Sequence, residues 1–152
     1  MARFRLSQRK VKGVRLPLHF NYIFMDTAKN KKILVVDDDE NLRTVLVDKL
    51  SISGFDAEGA KDGLEGLTKA LAMHPDMVLL DGMMPKLTGW EVLEKLRQDV
   101  WGKDVNVIML TAVDQADNVA KAMESGSCRY LVKTNYSLDE VVNKIKKMFA
   151  GK

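Results

Sequence analysis

From Lys32 onward, short apolar runs alternate with longer segments in which apolar residues recur every three or four positions. The first pattern belongs to strands and the second to helices, and their regular alternation predicts a parallel sheet wrapped by helices. Five rounds follow one another. KILVVD, 32–37, is a continuous apolar run suited to a central strand covered on both faces. Between Asn41 and Ser53, Leu42, Val45, Leu46 and Leu50 form one helical stripe, and Gly54 ends it. FDAEG, 55–59, alternates more weakly and reads as an edge strand. Over 62–73, Leu64, Leu67, Ala70 and Leu71 return at helical spacing, and MVLLD, 77–81, is a second strongly buried strand.

A loop containing Pro85 leads to a short helix from Trp90 to Arg97 that buries Val92, Leu93 and Leu96, and VNVIML, 105–110, is the fourth strand. The helix expected from Gln115 to Ser125 has only Ala116, Val119, Ala120 and Met123 on its apolar side, so it packs lightly. CRYLV, 128–132, is the fifth strand. The last helix opens with Ser137 and Glu140, spaced as in a capping box. Its stripe is Leu138, Val141, Val142, Ile145, Met148 and Phe149.

Composition narrows the class. With 152 residues, 46% hydrophobic and 30% charged, the chain suffices for one domain with a substantial core. No apolar run approaches the ~20 residues of a membrane span, so no membrane partner is expected. Cys128 stands alone and cannot close an intramolecular disulfide, which fits a reducing, cytoplasmic location. One cysteine and two distant histidines, His19 and His74, lack the spacing of zinc ligands, and His74 reads as a helix-end residue. The net charge of +3 conceals an asymmetry, because Arg3, Arg5, Arg9, Lys10, Lys12 and Arg15 have no acid among them within residues 1–24. A basic head on a mildly acidic body suits a nucleic-acid or membrane-surface arm. Against that, the segment has no helical periodicity and contains Gly13 and Pro17, so residues 1–30 are read as a disordered extension, a tag, or a start placed upstream of Met25. LPLHFNYIFM is not a signal peptide, since His19 and Asn21 interrupt it.

The strand ends carry the chemistry. Ligands of an open parallel sheet sit beyond the carboxyl ends of its strands. Here strand one runs into Asp37 and Asp38, strand three into Asp81, strand four into Thr111 and strand five into Lys133. Three carboxylates at one mouth repel one another and rise in pKa unless a cation joins them. Magnesium fits, because it takes oxygen ligands and is commonly held by one or two carboxylates plus a phosphate, whereas calcium needs more protein oxygens. Lys133 is a second compensating charge. Asp39 and Glu40 need no ion, being placed at the positive end of the first helix. Helix capping by Asp37 and Asp38, a turn role for Asp81 and solvated roles for Thr111 and Lys133 account for each residue singly, but not for their combination.

ILVVDDDENLR, DMVLLDGMMPKLTGWEVL, VIMLTA and YLVK, in that order on the expected strands, resemble the receiver domain of bacterial two-component response regulators, in its stand-alone, chemotaxis-regulator-like form. The resemblance covers about residues 31–150, leaving 1–30 as the basic extension. It implies a flavodoxin-like five-stranded parallel sheet of order 2-1-3-4-5 with helices on both faces. It implies that Asp81 is the phosphoacceptor, that Asp38 and Asp81 bind Mg2+ with the backbone carbonyl of Met83, and that Asp37 acts mostly through water. Lys133 would pair with the phosphoryl group, Thr111 would donate its hydroxyl to a phosphoryl oxygen, and Tyr130 would swing inward behind it as the second switch residue. The implied donor is a sensor histidine kinase or phosphotransfer protein. The output is an altered face for an unidentified partner, on a monomer or a weak phosphorylation-dependent dimer. With no DNA-binding segment after Lys152, direct DNA binding is not expected.

Two positions depart from the family pattern. Thr134 replaces the usual proline, which predicts a trans Lys133–Thr134 peptide and a reshaped loop, since a cis bond there costs ~3 kcal/mol or more without proline. Gly82 replaces a bulkier residue and opens the site to water or a phosphatase. Two other functions compete with this one. One is a receiver-like interaction module that works without phosphate. The other is a metal-dependent phosphatase, which lacks its D-x-D pair here because Gly82 and Met83 follow Asp81. The chain is therefore not expected to be an enzyme.

Overall fold

Strands that run parallel must be joined by crossovers of a dozen or more residues, and the described residues supply a helix for three of them. A computed structural model describes residues 30–112 and 128–151. Its elements are β1 (Lys32–Val36), α1 (Glu40–Ile52), β2 (Asp56–Ala60), α2 (Gly63–Met73), β3 (Met77–Asp81), α3 (Gly89–Gln98), β4 (Asn106–Thr111), β5 (Arg129–Val132) and α4 (Leu138–Ala150). All pairings are parallel, in the order β2-β1-β3-β4-β5. The expected topology is therefore the observed one, with β2 on an edge. The basic head up to residue 29 and the helix expected over 115–125 lie outside the described residues.

Alternation along the strands divides the core in two. Ile33, Val35, Met77, Leu79, Ile108 and Leu110 face one side, where they pack with Leu46 and Leu50 of α1 and with Val141, Val142, Ile145 and Phe149 of α4. Leu34, Val36, Val78, Leu80, Val107 and Met109 face the other, against Ala70 of α2 and Val92, Leu93 and Leu96 of α3. Successive side chains of a strand point to opposite faces, so strands buried on both faces must be apolar throughout. That is why KILVV and MVLLD carry no internal polar residue.

The helices begin where their capping chemistry places them. Asp39, Asp62, Thr88 and Ser137 are the N-caps, and Thr88 with Glu91 and Ser137 with Glu140 form full capping boxes. His74 closes α2 in a left-handed conformation and stacks on Trp101, with ring centroids 4.5 Å apart. The Lys133–Thr134 peptide is trans, and Lys133–Asn135 form a 3-10 turn before α4.

The buried faces of two helices differ from the apolar stripes. Val45 of α1 is 40% exposed, while Leu46 and Leu50 carry the contact. On α2, Leu64 and Leu71 are 50% and 39% exposed, and the buried residues are Gly63, against the Leu87 carbonyl, with Gly66 and Ala70. The reason is close approach. A Cβ at Gly66 would lie 2.5 Å from Val36 Cγ1, so α2 rests almost directly on β1, where only small residues fit. Of the expected stripe Ala70 is buried and Leu67 packs against the core, whereas hydrophobic ranking, which favours leucine over glycine, wrongly adds Leu64 and Leu71. Accordingly, Gly66→Ala should lower stability by ~1–3 kcal/mol through overpacking. Urea denaturation measures this, and an unchanged midpoint would show that the helix yields freely.

Candidate functional site

The order β2-β1-β3-β4-β5 sets β1 beside β3, with the chain leaving them in opposite directions along the sheet. A crevice opens at that switch point beyond the strand ends. Asp37 follows β1 and is fully buried. Its Oδ1 accepts from the Asp39 N–H at 2.9 Å, and its backbone carbonyl accepts from Arg43 at 2.8 Å. The loop is thus tied down on both sides. Asp39 turns away, capping α1 by accepting from the Asn41 and Leu42 N–H groups. Asp38, between them, is exposed.

Asp81 is the last residue of β3 and is 7% exposed. Its Oδ1 accepts from the Met83 N–H at 3.4 Å. The loop behind it is packed backbone to backbone: a Cβ on Gly89 would overlap the Asp81 carbonyl, and the Gly89 N–H donates to the Gly82 carbonyl at 2.9 Å. From the far side of the sheet, Lys133 at the end of β5 reaches both acids, with Nζ 3.1 Å from Asp37 Oδ2 and 3.2 Å from Asp81 Oδ1. Asp37, Asp38 and Asp81 each offer a carboxylate oxygen within 4.8 Å of the others. Asp37, Asp38, Asp81 and Lys133 thus meet at one rim.

The electrostatics follow from burial. Desolvation, then the charge of Asp37, push the Asp81 carboxyl up to about 6, while Lys133 and the Met83 N–H hold it from rising further. For Lys133, burial pulls its pKa down, but Asp37 and Asp81 outweigh this and raise it, so the ammonium stays charged at neutral pH. One ammonium facing three carboxylates leaves the rim negative. An all-oxygen set of this kind fits a hard divalent cation.

Thr111 ends β4 fully buried, and its hydroxyl has no hydrogen-bond partner among the described residues. Tyr130 lies on the neighbouring β5, 36% exposed, and pairs in register with Met109, two residues before Thr111. Met83 is placed two residues beyond Asp81 with its side chain largely exposed. Two charged residues of the same rim were not marked by sequence patterning, Asp62 and Lys86, which pair at 3.3 Å. An aspartate just before a helix is legible as a cap. Its ion pair with a loop lysine is not.

A site of this geometry on this sheet is that of a receiver domain. The chain matches the family described as response regulator receiver domain over residues 33–146, and it belongs to that family. It is 33% identical over 115 residues to the DNA-binding dual master transcriptional regulator RpaA of Synechocystis, the match covering 76% of this chain and 47% of that protein. To the alkaline phosphatase synthesis transcriptional regulatory protein PhoP of Bacillus subtilis it is 43% identical over 117 residues, covering 77% and 48%. The chain thus spans about half the length of these relatives. Among solved structures, the chemotaxis protein CheY4 of Vibrio cholerae superposes with a TM-score of 0.70 at 27% identity, covering 78% of this chain and 98% of that one. The response regulator TrrA of Thermotoga maritima, solved in complex with Mg(2+)-BeF, gives 0.64 at 34% identity with the same coverage.

The raised Asp81 pKa makes a stability prediction for the protein in EDTA. A carboxyl whose folded pKa exceeds its unfolded value binds its proton more tightly when folded. Stability therefore falls as pH rises from 3.8 to about 6 and stays reduced above. Asp81→Asn removes that cost and leaves Lys133 paired with Asp37. Allowing for solvent screening at an open rim, the variant should be more stable than the parent by on the order of 1 kcal/mol at pH 8. The difference should vanish near pH 4, and thermal melts at the two pH values measure it.

Proposed function

We propose that the chain is a phosphoacceptor switch of a two-component relay, in which Asp81 takes a phosphoryl group from the phosphohistidine of a sensor kinase or phosphotransfer protein. The observation that carries this reading is a buried carboxylate, Asp81, sharing one ammonium with Asp37 beside the exposed Asp38. A carboxylate of pKa about 6 is mostly ionised at neutral pH and free to act as a nucleophile. An Asp81 oxygen attacks phosphorus, the phosphorus–nitrogen bond breaks, and its electron pair returns to the imidazole.

Each neighbour has a part in that step. Lys133 neutralises charge on the transferring oxygens, since phosphoryl transfer depends mainly on positioning and electrostatic stabilisation. The unpartnered Thr111 hydroxyl donates to a phosphoryl oxygen, which gives it the partner it lacks in the described structure. Asp37 orients Lys133 and the β1–α1 loop. Asp38, Asp81 and the Met83 carbonyl, with Asp37 acting mostly through water, would hold Mg2+, which would supply the remaining positive charge.

Output follows from a population shift. Drawing Thr111 toward the new phosphoryl group empties space beside β5, and the half-exposed Tyr130 turns into it. The face around β5 then differs between the two states, and a partner reads the difference. The protein works in the cytoplasm without catalytic turnover, apart from slow loss of its own phosphoryl group. Among the described residues, no helix is long and apolar enough to cross a membrane.

Incubation with Mg2+ and a small acyl phosphate, followed by intact-mass measurement, tests the assignment. The protein should gain the mass of one phosphoryl group, Asp81→Asn should gain none, and Lys133→Ala should gain it at least ~100-fold more slowly. Uptake that survives in Asp81→Asn contradicts the assignment. Absence of uptake in the parent would favour the phosphate-independent interaction module.

A further inference from the structure

The loop that carries Met83 is held in place by a contact the phosphoryl chemistry does not itself require. Between β3 and α3, Lys86 adopts φ +71°, in the left-handed region that disfavours a side chain. The Leu87 N–H donates to the Pro85 carbonyl at 2.9 Å, closing a γ-turn centred on Lys86. The form with positive φ is the rare and strained one. Glycine would occupy this position without strain. The chain places a lysine there, and its Nζ lies 3.3 Å from Asp62 Oδ2.

Asp62 is an anchored partner. Its side chain is 8% exposed, against 58% for Lys86, and its Oδ1 caps α2 by accepting from the Glu65 N–H at 2.8 Å. The Glu65 N–H, and after it Lys86, hold its carboxyl below the usual range against the opposing effect of burial. The two loops also touch through their backbones, since a Cβ on Gly63 would overlap the Leu87 carbonyl. The β3–α3 loop is therefore fastened to the start of α2, and α2 rests on β1 through Gly66. Strain at a residue near a functional site, kept in place by its surroundings, is the pattern of a pre-organised site.

We infer that Lys86 is a positioning residue: its ion pair with Asp62 fastens the β3–α3 loop to α2, and thereby sets the Met83 carbonyl and the Asp81 carboxylate in register for a divalent cation. The inference rests on the proposed phosphoacceptor reading and deepens it. Lys86 touches neither the cation nor the phosphoryl group. It acts through the loop, as groups behind metal ligands commonly do.

Calorimetric titration of Mg2+ into the full chain tests this, alongside urea midpoints measured in EDTA. Lys86→Ala, Lys86→Gly and Asp62→Asn should each weaken Mg2+ binding by roughly 3- to 10-fold, the low end of effects behind a metal ligand. Lys86→Arg should restore affinity. Asp62→Asn keeps a capping side chain, so it removes the charge and not the helix start. Combining Asp62→Asn with Lys86→Ala should weaken binding no more than either alone, because the two residues form one contact. Lys86→Gly separates positioning from stability: it relieves the left-handed backbone, so its urea midpoint should exceed that of Lys86→Ala, yet its Mg2+ affinity should fall as far. Wild-type affinity in the Lys86 variants, or affinity that merely follows the midpoint, overturns the inference and leaves the phosphoacceptor reading standing. A parent protein that binds no Mg2+ and takes up no phosphoryl group overturns both.

Discussion

Two buried carboxylates share one ammonium, and that balance organises the rest of the molecule. Asp37 and Asp81 end adjacent strands, so the sheet order forces them together; Lys133 must come back from β5, across β4, to face both. Burial, and after it the charge of Asp37, raise the Asp81 carboxyl to about 6, and Lys133 holds it from rising further. With Asp38 counted, three carboxylates face one lysine, a deficit of two positive charges that a dication matches. The rim is thus incomplete by its charges: a bound dication would fill the deficit, and the added charge of a phosphoryl group would then face both that ion and Lys133.

Such a balance holds only if the loops stay where the strands put them. Backbone contact supplies the restraint. Gly63, Gly66 and Gly89 each sit where a side chain would collide with a neighbouring loop or strand, namely the Leu87 carbonyl, Val36 and the Asp81 carbonyl. Ordinary side-chain packing is forgiving by comparison, because rotamers adjust. The two cores on either face of the sheet make the strands rigid, and the glycine contacts transfer that rigidity to the rim. Sites carried on rigid elements hold their geometry better than sites on free loops.

Much of this was legible in the sequence. The strands read clearly because both faces are buried, leaving the runs ILVV and MVLL apolar throughout. Strand ends were legible for the same reason: a charged residue after such a run marks where the core stops, which singled out Asp37, Asp38 and Asp81, whereas Lys133 follows the more exposed β5. The Ser137–Glu140 box gave the start of the last helix to the residue. Helix faces were less legible. Leu64 and Leu71 suggested a stripe that the close approach of α2 at Gly66 displaces, and a glycine pressed against a valine carries no hydrophobic signal. The Asp62–Lys86 pair was hidden for another reason, since neither residue belongs to a periodic pattern and their contact depends on two loops meeting in space. The burial of Thr111, and the lack of a partner for its hydroxyl among the described residues, likewise emerge only once β4 is paired on both sides.

The most direct test of the charge balance is a crystal structure of the full chain with Mg2+ and beryllofluoride. The account predicts the ion at about 2.1 Å from oxygens of Asp38, Asp81 and the Met83 carbonyl. It also predicts the fluoroberyllate on Asp81, within hydrogen-bonding reach of Lys133 and the Thr111 hydroxyl. An ion bound elsewhere, or Lys133 still bridging Asp37 and Asp81 with Thr111 unmoved, would contradict it.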